Sequence, residues 1–481
     1  MLRLIHVLIV LYCLTPQLTS ADDNFPTGSL QARCRQAMKQ ATTFYHEKVA
    51  VQGGYVYEYA LDLKLRQGEG RATPTEIWVQ PPGTPTVGMA YVTAFEATGD
   101  PQFLAAAVDA ANALMYGQLE SGGWTASIDF DAKGPHTDRY RNGKGRAKGK
   151  NYSTLDDDKT QAAVCLLMKV DKALEFKNAE IHDATLLALN SLLAAQFANG
   201  GFPQGWKEPV SVQQVKPAAY PGYDWRTENR IKEYWDYYTL NDGLAGTVAR
   251  TLLLAHQTYG DAKYRVALLK LGDFLILAQM PEPQPAWAQQ YNFDMQPMWA
   301  RKFEPAAISG RESEDAMETL LFLYEQTGDK KYLAPIEPAI AWMKRSLLAD
   351  GQIARFYELQ TNRPLYFVRD TYELTYDDSN LPTHYGFKAK PRLDKIEKRY
   401  EELKQTGKFK KSVSSLKTLT RDAERIVSEL DSEGRWLSDD KGEPLTAATH
   451  LKGQTSVISS QLFSRNLERL SEYMSAVQAE K

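Results

Sequence analysis

Helix, glycine-aspartate turn, helix: this unit returns along the chain and limits what it can fold into. Residues 90–114 read AYVTAFEATGDPQFLAAAVDAANAL, 252–276 read LLLAHQTYGDAKYRVALLKLGDFLI, and 320–343 read LLFLYEQTGDKKYLAPIEPAIAWM. On both sides of Gly-Asp the apolar residues fall three and four apart, the spacing of two amphipathic helices joined at a glycine C-cap. Residues 167–193 form a degenerate copy without the glycine. The copies lie roughly 70–80 residues apart, a period that signals stacked helical hairpins. There is a second echo: YGQLESGGWTASI at 116–128 and AAQFANGGFPQGW at 194–206 share a Gln and then Gly-Gly-aromatic. Hairpins repeated with such elbows predict a mainly α chain wound as an α/α toroid, complete or partial, with a helical solenoid as the alternative.

This reading sorts the connections into two kinds. The Gly-Asp turns share one face, so the long connections at about 116–156, 197–242, 279–312 and 346–390 crowd the other. Long loops gathered on one rim of a rigid scaffold are where a binding site is expected. Residues 351–378 alternate apolar and polar side chains, which predicts a small β-hairpin on that rim. From about residue 388 the chain turns charge-rich and helical, and residues 389–481 read as a helical C-terminal extension.

Composition narrows the class. Of 481 residues 43% are hydrophobic, enough for a large core, and the net charge of -3 offers no global attraction for an anionic partner. An acidic ligand therefore needs a local basic patch. Residues 1–21 read as a secretory signal: Arg3, then an apolar run from Leu4 to Leu14, then Ser20 and Ala21 at a plausible cleavage point. The run is too short to span a bilayer. The expectation is a secreted or periplasmic monomer with no membrane association after cleavage and no nucleic-acid partner. Only Cys34 and Cys165 then remain, and Cys165, on an apolar helical stripe, reads as a free thiol.

The chemistry gathers in a few stretches. STLDDDKTQ at 153–161 sets Asp156, Asp157 and Asp158 side by side ahead of an apolar helix. Acids in a first turn cap free N–H groups and suit the macrodipole. One such residue is accounted for this way; three repel one another, and a hard cation with oxygen ligands would relieve them. YYTLNDG at 237–243 repeats the design with Asn241 and Asp242. WARKFEPAAISGRES at 299–313 carries Arg301, Lys302 and Arg311 and ends in a capping-box pattern, Ser309 with Glu312. Arg363 and Arg369 come next in TNRPLYFVRDTYE, where Arg369 beside Asp370 also reads as a plain ion pair. The loop 133–152 holds seven Lys/Arg against one Asp among glycines, a solvated segment or a contact for a polyanionic sugar.

Taken in order, STLDDDKTQ, NGGFPQGW, YYTLNDG, WARKFEPAAISGRES and RPLYFVRDTYELTYDD resemble the pectate lyases of polysaccharide lyase family ten, over roughly residues 30–388. The resemblance implies an incomplete α/α toroid of the (α/α)₃ type over 22–388, with small β-hairpins at a cleft rim. It implies Ca²⁺-assisted β-elimination of polygalacturonate (pectin). It aligns Arg301 with the catalytic base, Arg311 being its rival, and Asp156 with an essential cleft aspartate. Asp242 aligns with a calcium ligand and Arg369 with an arginine that binds the substrate carboxylate. Gly201, Phe202, Pro203 and Gln204 match a sugar-binding elbow, and Asp157 and Lys302 complete the candidate substrate contacts. The family commonly reads Asp-Asn where this chain has Asp156–Asp157, and 210–232 and 133–150 look longer than their counterparts. The alternatives are an inverting glycoside hydrolase using Asp156 and Asp242, and a non-catalytic polysaccharide binder.

Overall fold

The computed structural model describes residues 28–226, 231–410, 413–439, 451 and 456–480; the leader-like stretch 1–21 lies outside them. Twelve helices are present among these residues: α1 (Leu30–Phe44), α2 (Thr84–Thr98), α3 (Pro101–Tyr116), α4 (Lys159–Ala173), α5 (Ala179–Ala194), α6 (Leu244–Tyr259), α7 (Ala262–Ala278), α8 (Gly310–Thr327), α9 (Ile336–Arg345), α10 (Leu393–Thr406), α11 (Leu416–Ser428) and α12 (Ser460–Ala479).

The Gly-Asp pair works as a stop and a start. Gly99, Gly260 and Gly328 end α2, α6 and α8 in the left-handed conformation. The next residue, Asp100, Asp261 or Asp329, accepts a hydrogen bond from a backbone N–H two residues on and caps the helical turn that begins there. In the degenerate copy Glu175 and Phe176 take positive φ (53° and 60°) where the others use glycine, and Asn178 caps α5.

The α/α toroid arises from how these hairpins pack. The first helices form a row, α2 on α4, α4 on α6, α6 on α8, and each carries its hairpin mate outside it. Residues after 388 supply the row's ends: α10 packs on α8, and α12 packs on α2. Strand pairing of Glu58–Tyr59 with Ile458–Ser459 stitches the two ends of the chain together.

Each of the four hairpins is entered the same way. A strand of two or three residues precedes the inner helix and pairs antiparallel with a strand beyond the outer one: Glu76–Trp78 with Ser127–Asp129, Ser153–Thr154 with Gly205–Trp206, Tyr238–Thr239 with Gln290–Tyr291, and Ile308–Ser309 with Phe356–Tyr357. The expected hairpin within 351–378 extends the last of these into four strands. These ladders lie where the N-termini of the inner helices begin, so the long loops share one rim.

The Gly-Gly-aromatic echo is architectural. Gln118 donates to the carbonyls of Gly122 (2.8 Å) and Ala184 (2.9 Å), and Gln196 to those of Gly200 (3.0 Å) and Ala267 (2.9 Å). Gln279 does the same to Pro285 and Pro335. Each glutamine thus clips its own elbow to the next outer helix. At Gly200 φ is +94°, and a Cβ would stand 1.9 Å from the Lys270 carbonyl oxygen. Gly200→Ala is therefore expected to destabilise the fold by about 2–4 kcal/mol, read as a lower midpoint in thermal or urea unfolding; an unchanged midpoint would contradict the close approach.

Candidate active site

Two equivalent turns build the centre. Ahead of α4 a 3-10 turn spans Asp156–Asp158, and ahead of α6 another spans Asn241–Gly243. Their registers match residue for residue: Asp157 (φ 46°) with Asp242 (φ 52°), and Asp158 (φ 62°) with Gly243 (φ 67°). Asp157, not Asp156, is thus the counterpart of Asp242. Left-handed non-glycine residues cost of order 1–3 kcal/mol each and gather at functional sites. None of the three aspartates makes a side-chain capping bond to its helix, so the capping account of the acidic run does not hold.

The two turns bring together Asp156, Asp157 and Asp242, one carboxylate oxygen of each lying within 4.8 Å of the others. Burial pushes Asp242 up to about 7, and the charges of Asp157 and Asp156 add to it. Asp157 is also raised, by burial and by Asp156. Asp156 alone is lowered: burial works against it, but the ammonium of Lys159 at 2.7 Å, the Gln204 amide at 2.7 Å and the charge of Arg301 more than offset this. Gln80 donates to Asp157 (3.2 Å) and to Glu69 (2.7 Å). The Oε1 atoms of Gln80 and Gln204 are buried and have no hydrogen-bond partner. Three clustered carboxylates and two orphaned carbonyl oxygens suit a hard divalent cation such as Ca²⁺.

Arg301 lies near enough to Asp156 for its charge to act on that carboxylate. Its guanidinium grips buried Glu304 through two bonds (2.6 and 2.8 Å) and lies over the rings of Phe303 (5.0 Å) and Tyr385 (5.6 Å). Burial alone would lower its pKa; the hydrogen bonds and charge of Glu304 outweigh this, and the guanidinium is held protonated above its ordinary value. Glu304 also accepts from Gln289 (2.6 Å) and Tyr385 (3.0 Å). Beside it a second ion pair, Arg355–Glu312 at 2.7 Å, is buried at both ends, and Arg355 reaches Asn241 at 3.3 Å. Ser309 donates to the Glu312 carboxylate and makes no side-chain cap to α8. The capping box expected there is absent because Glu312 is committed to Arg355.

The other sequence candidates separate. Gln204 touches Asp156. Phe202 is 1% exposed and packed in the core, so its ring supports the elbow and offers no face to a sugar; this corrects its expected role. Lys302 stands 3.4 Å from the Tyr372 ring centroid. Arg369 is exposed at the turn after strand Pro364–Phe367, and its Nε donates to the Leu381 carbonyl (2.9 Å) rather than to Asp370 or the three aspartates. Arg311 is exposed in the first turn of α8 and lines a cavity of about 500 Å³ that Asp242 also borders. Cys34 and Cys165 are unpaired among the described residues. Sequence reasoning missed Gln80, Glu69, Lys159, Glu304, Arg355 and Tyr385. Lys159 and Glu304 stand within the recognised motifs, three residues from Asp156 and Arg301; Gln80 and Glu69 lie on a segment with no motif at all.

The sequence model of the pectic acid lyase family matches residues 118–354. No curated protein sequence matches the chain at a significant level. Among solved structures, an aspartate-to-alanine mutant of a family 10 polysaccharide lyase from Cellvibrio cellulosa, in complex with trigalacturonic acid, is 21% identical, covering 62% of this chain and 92% of that one with a TM-score of 0.45. A sugar epimerase from a ruminal bacterium is 12% identical over 93% of this chain and 99% of its own (TM-score 0.47). A GH76 alpha-mannanase from Bacteroides thetaiotaomicron is 10% identical over 94% and 98% (TM-score 0.42). The matched segment carries the aspartate turns, the Gln204 elbow and Arg301, and over it the chain is similar to the pectic acid lyases, a polysaccharide lyase family.

Proposed function

We propose that the protein is an exported pectate lyase that cleaves polygalacturonate by calcium-assisted β-elimination, giving 4,5-unsaturated oligogalacturonides. The observation that carries the reading is the convergence of Asp156, Asp157 and Asp242 with a guanidinium, Arg301, whose charge acts on Asp156. The hydrolase alternative fits less well, since an inverting pair needs carboxyl groups about 6.5–9.5 Å apart with water between them, and here one oxygen of Asp156 and one of Asp242 lie within 4.8 Å.

In a uronate the C5 proton is α to the C6 carboxylate, and its removal leaves negative charge on that carboxylate. Asp156, Asp157 and Asp242 would hold Ca²⁺, which supplies positive charge against the substrate carboxylate and acidifies the C5 proton. Gln80 and Gln204 fix two of these aspartates in place. Arg369, exposed at its turn, meets a substrate carboxylate, and Lys302 over Tyr372 meets another. Arg301 takes the C5 proton, the electron pair forms the C4–C5 double bond, and the C4–O bond breaks as the departing oxygen takes a proton from solvent; no water is consumed. Since Glu304 holds Arg301 protonated in the free protein, the base form is reached at alkaline pH and with positive charge brought close beside it.

Export rests on the sequence of residues 1–21. Among the described residues no helix is long and apolar enough to cross a membrane. The test of the reaction class is incubation with polygalacturonate and calcium, followed by ultraviolet absorbance and reducing ends. Absorbance of an unsaturated uronide rising with reducing ends, and lost with chelator, is the expected result. Reducing ends without absorbance would show a hydrolase, and retention on pectin with neither would show a binder.

A further inference from the structure

Next to the Gln204 elbow lies a cavity of about 460 Å³, within the size range of small-ligand sites. Gln204 joins the two: its amide touches Asp156, its backbone N–H donates to the Trp235 carbonyl (2.9 Å), and its neighbours Pro203 and Gly205 line the cavity. The walls are aromatic. Tyr152, Trp206, Trp235 and Phe293 line it, and Trp235 is 36% exposed, a large apolar ring left facing solvent. The Trp206 indole N–H is spent on the Ser121 carbonyl (3.1 Å), which leaves its ring as wall.

The charges at the rim have the wrong sign for a carboxylate. Among the described residues, Glu208, Glu233 and Asp236 line the cavity against one cation, Lys207, which itself lies 3.8 Å from Glu208. Asp236 accepts from the Tyr152 hydroxyl at 2.6 Å, which fixes its carboxylate at the rim. A galacturonate carboxylate would enter beside like charges, with aromatic faces in place of basic partners. A pyranose ring without that charge would lay its apolar face on Trp235 and offer its hydroxyls to the acids. Val210 and Ser211, at the start of the stretch that looks longer than the family pattern, line the cavity as well.

We propose that this cavity binds an uncharged uronate unit, one whose carboxyl is methyl-esterified, next to the unit at the aspartates. The protein would then favour partly esterified pectin over fully de-esterified polymer. This inference rests on the pectate-lyase reading, so its test reads binding without turnover. Calorimetric titration would compare fully methyl-esterified trigalacturonate, unesterified trigalacturonate and galactotriose, for the wild type and for Trp235→Ala. The expected result is that the esterified trimer loses at least tenfold in affinity on Trp235→Ala while the unesterified trimer changes less than twofold. Glu233→Lys should raise affinity for the unesterified trimer severalfold. An equal loss for both trimers, or no loss for the esterified one, would overturn the proposal. Galactotriose binding as tightly as the esterified trimer, with the same dependence on Trp235, would overturn the ester assignment. If these differences hold while no substrate yields unsaturated product, the cleavage reading fails and the cavity's preference stands.

Discussion

Arg301→Ala is expected to lower kcat/KM on polygalacturonate by about 10³-fold or more. The size reflects losing two contributions at once: a positioned proton acceptor, worth 10²–10⁴, and a cation facing developing negative charge, worth a further 10²–10³. The substitution also leaves Glu304, 2% exposed, without its partner, so folding is checked by circular dichroism. The companion Glu304→Gln separates the two roles. It keeps the shape of the wall but removes the carboxylate that raises the pKa of Arg301. If Arg301 accepts the proton, lowering its pKa shifts the acidic limb of the kcat/KM profile to lower pH. If Arg301 only supplies charge, the limb stays and the rate drops at every pH, and its assignment as base fails.

The second large effect is on stability. Asp242 is raised from an ordinary carboxylate value near 4 to about 7 by burial and by its acidic neighbours. A carboxyl that holds its proton more tightly when folded makes the folded state bind more protons than the unfolded state between those two values. Stability from this group is therefore lost as pH rises from about 4 to about 7, by on the order of 4 kcal/mol. Asp158, raised by burial to about 6, adds a smaller decline in the lower part of the same window. Asp242→Asn removes the largest contribution. In chelator, its melting temperature should exceed that of the wild type by several degrees at pH 8, with the gap closing toward pH 4. Calcium at pH 8 should raise the wild type and leave Asp242→Asn nearly unmoved, since a ligand stabilises only the state that binds it. A gap that does not change between pH 4 and 8 would contradict the repulsion read from the three carboxylates.

Local rules made much of the scaffold legible. Gly99, Gly260 and Gly328 stop helices, and Asp100, Asp261 and Asp329 start the next structure. These signals depend on residues a few positions apart, so the hairpins and the long rim loops could be placed from sequence. The triad was legible in part, because two acidic turns each preceded an apolar helix. Their register was not: matching Asp157 with Asp242 requires the positive φ of both, which no residue type announces. The Gly-Gly-aromatic echo was visible, but its cause is a glutamine reaching a carbonyl some seventy residues away, as Gln196 reaches Ala267. For the same reason Phe202 looked like a sugar platform and is core. Gln80, Glu69 and Arg355 enter the site through packing between distant segments, and neither spacing nor composition marks them.

The central claim is that the carboxylates of the α4 and α6 turns and the guanidinium of Arg301 act on one uronate with calcium between them. The most direct measurement is a crystal structure of Arg301→Ala with trigalacturonate and calcium. The account predicts one calcium ion bound by Asp156, Asp157 and Asp242 together with a substrate carboxylate, with the C5 proton directed at the space the guanidinium has left. Trigalacturonate bound away from these aspartates, or calcium held by other residues with the triad empty, would contradict it.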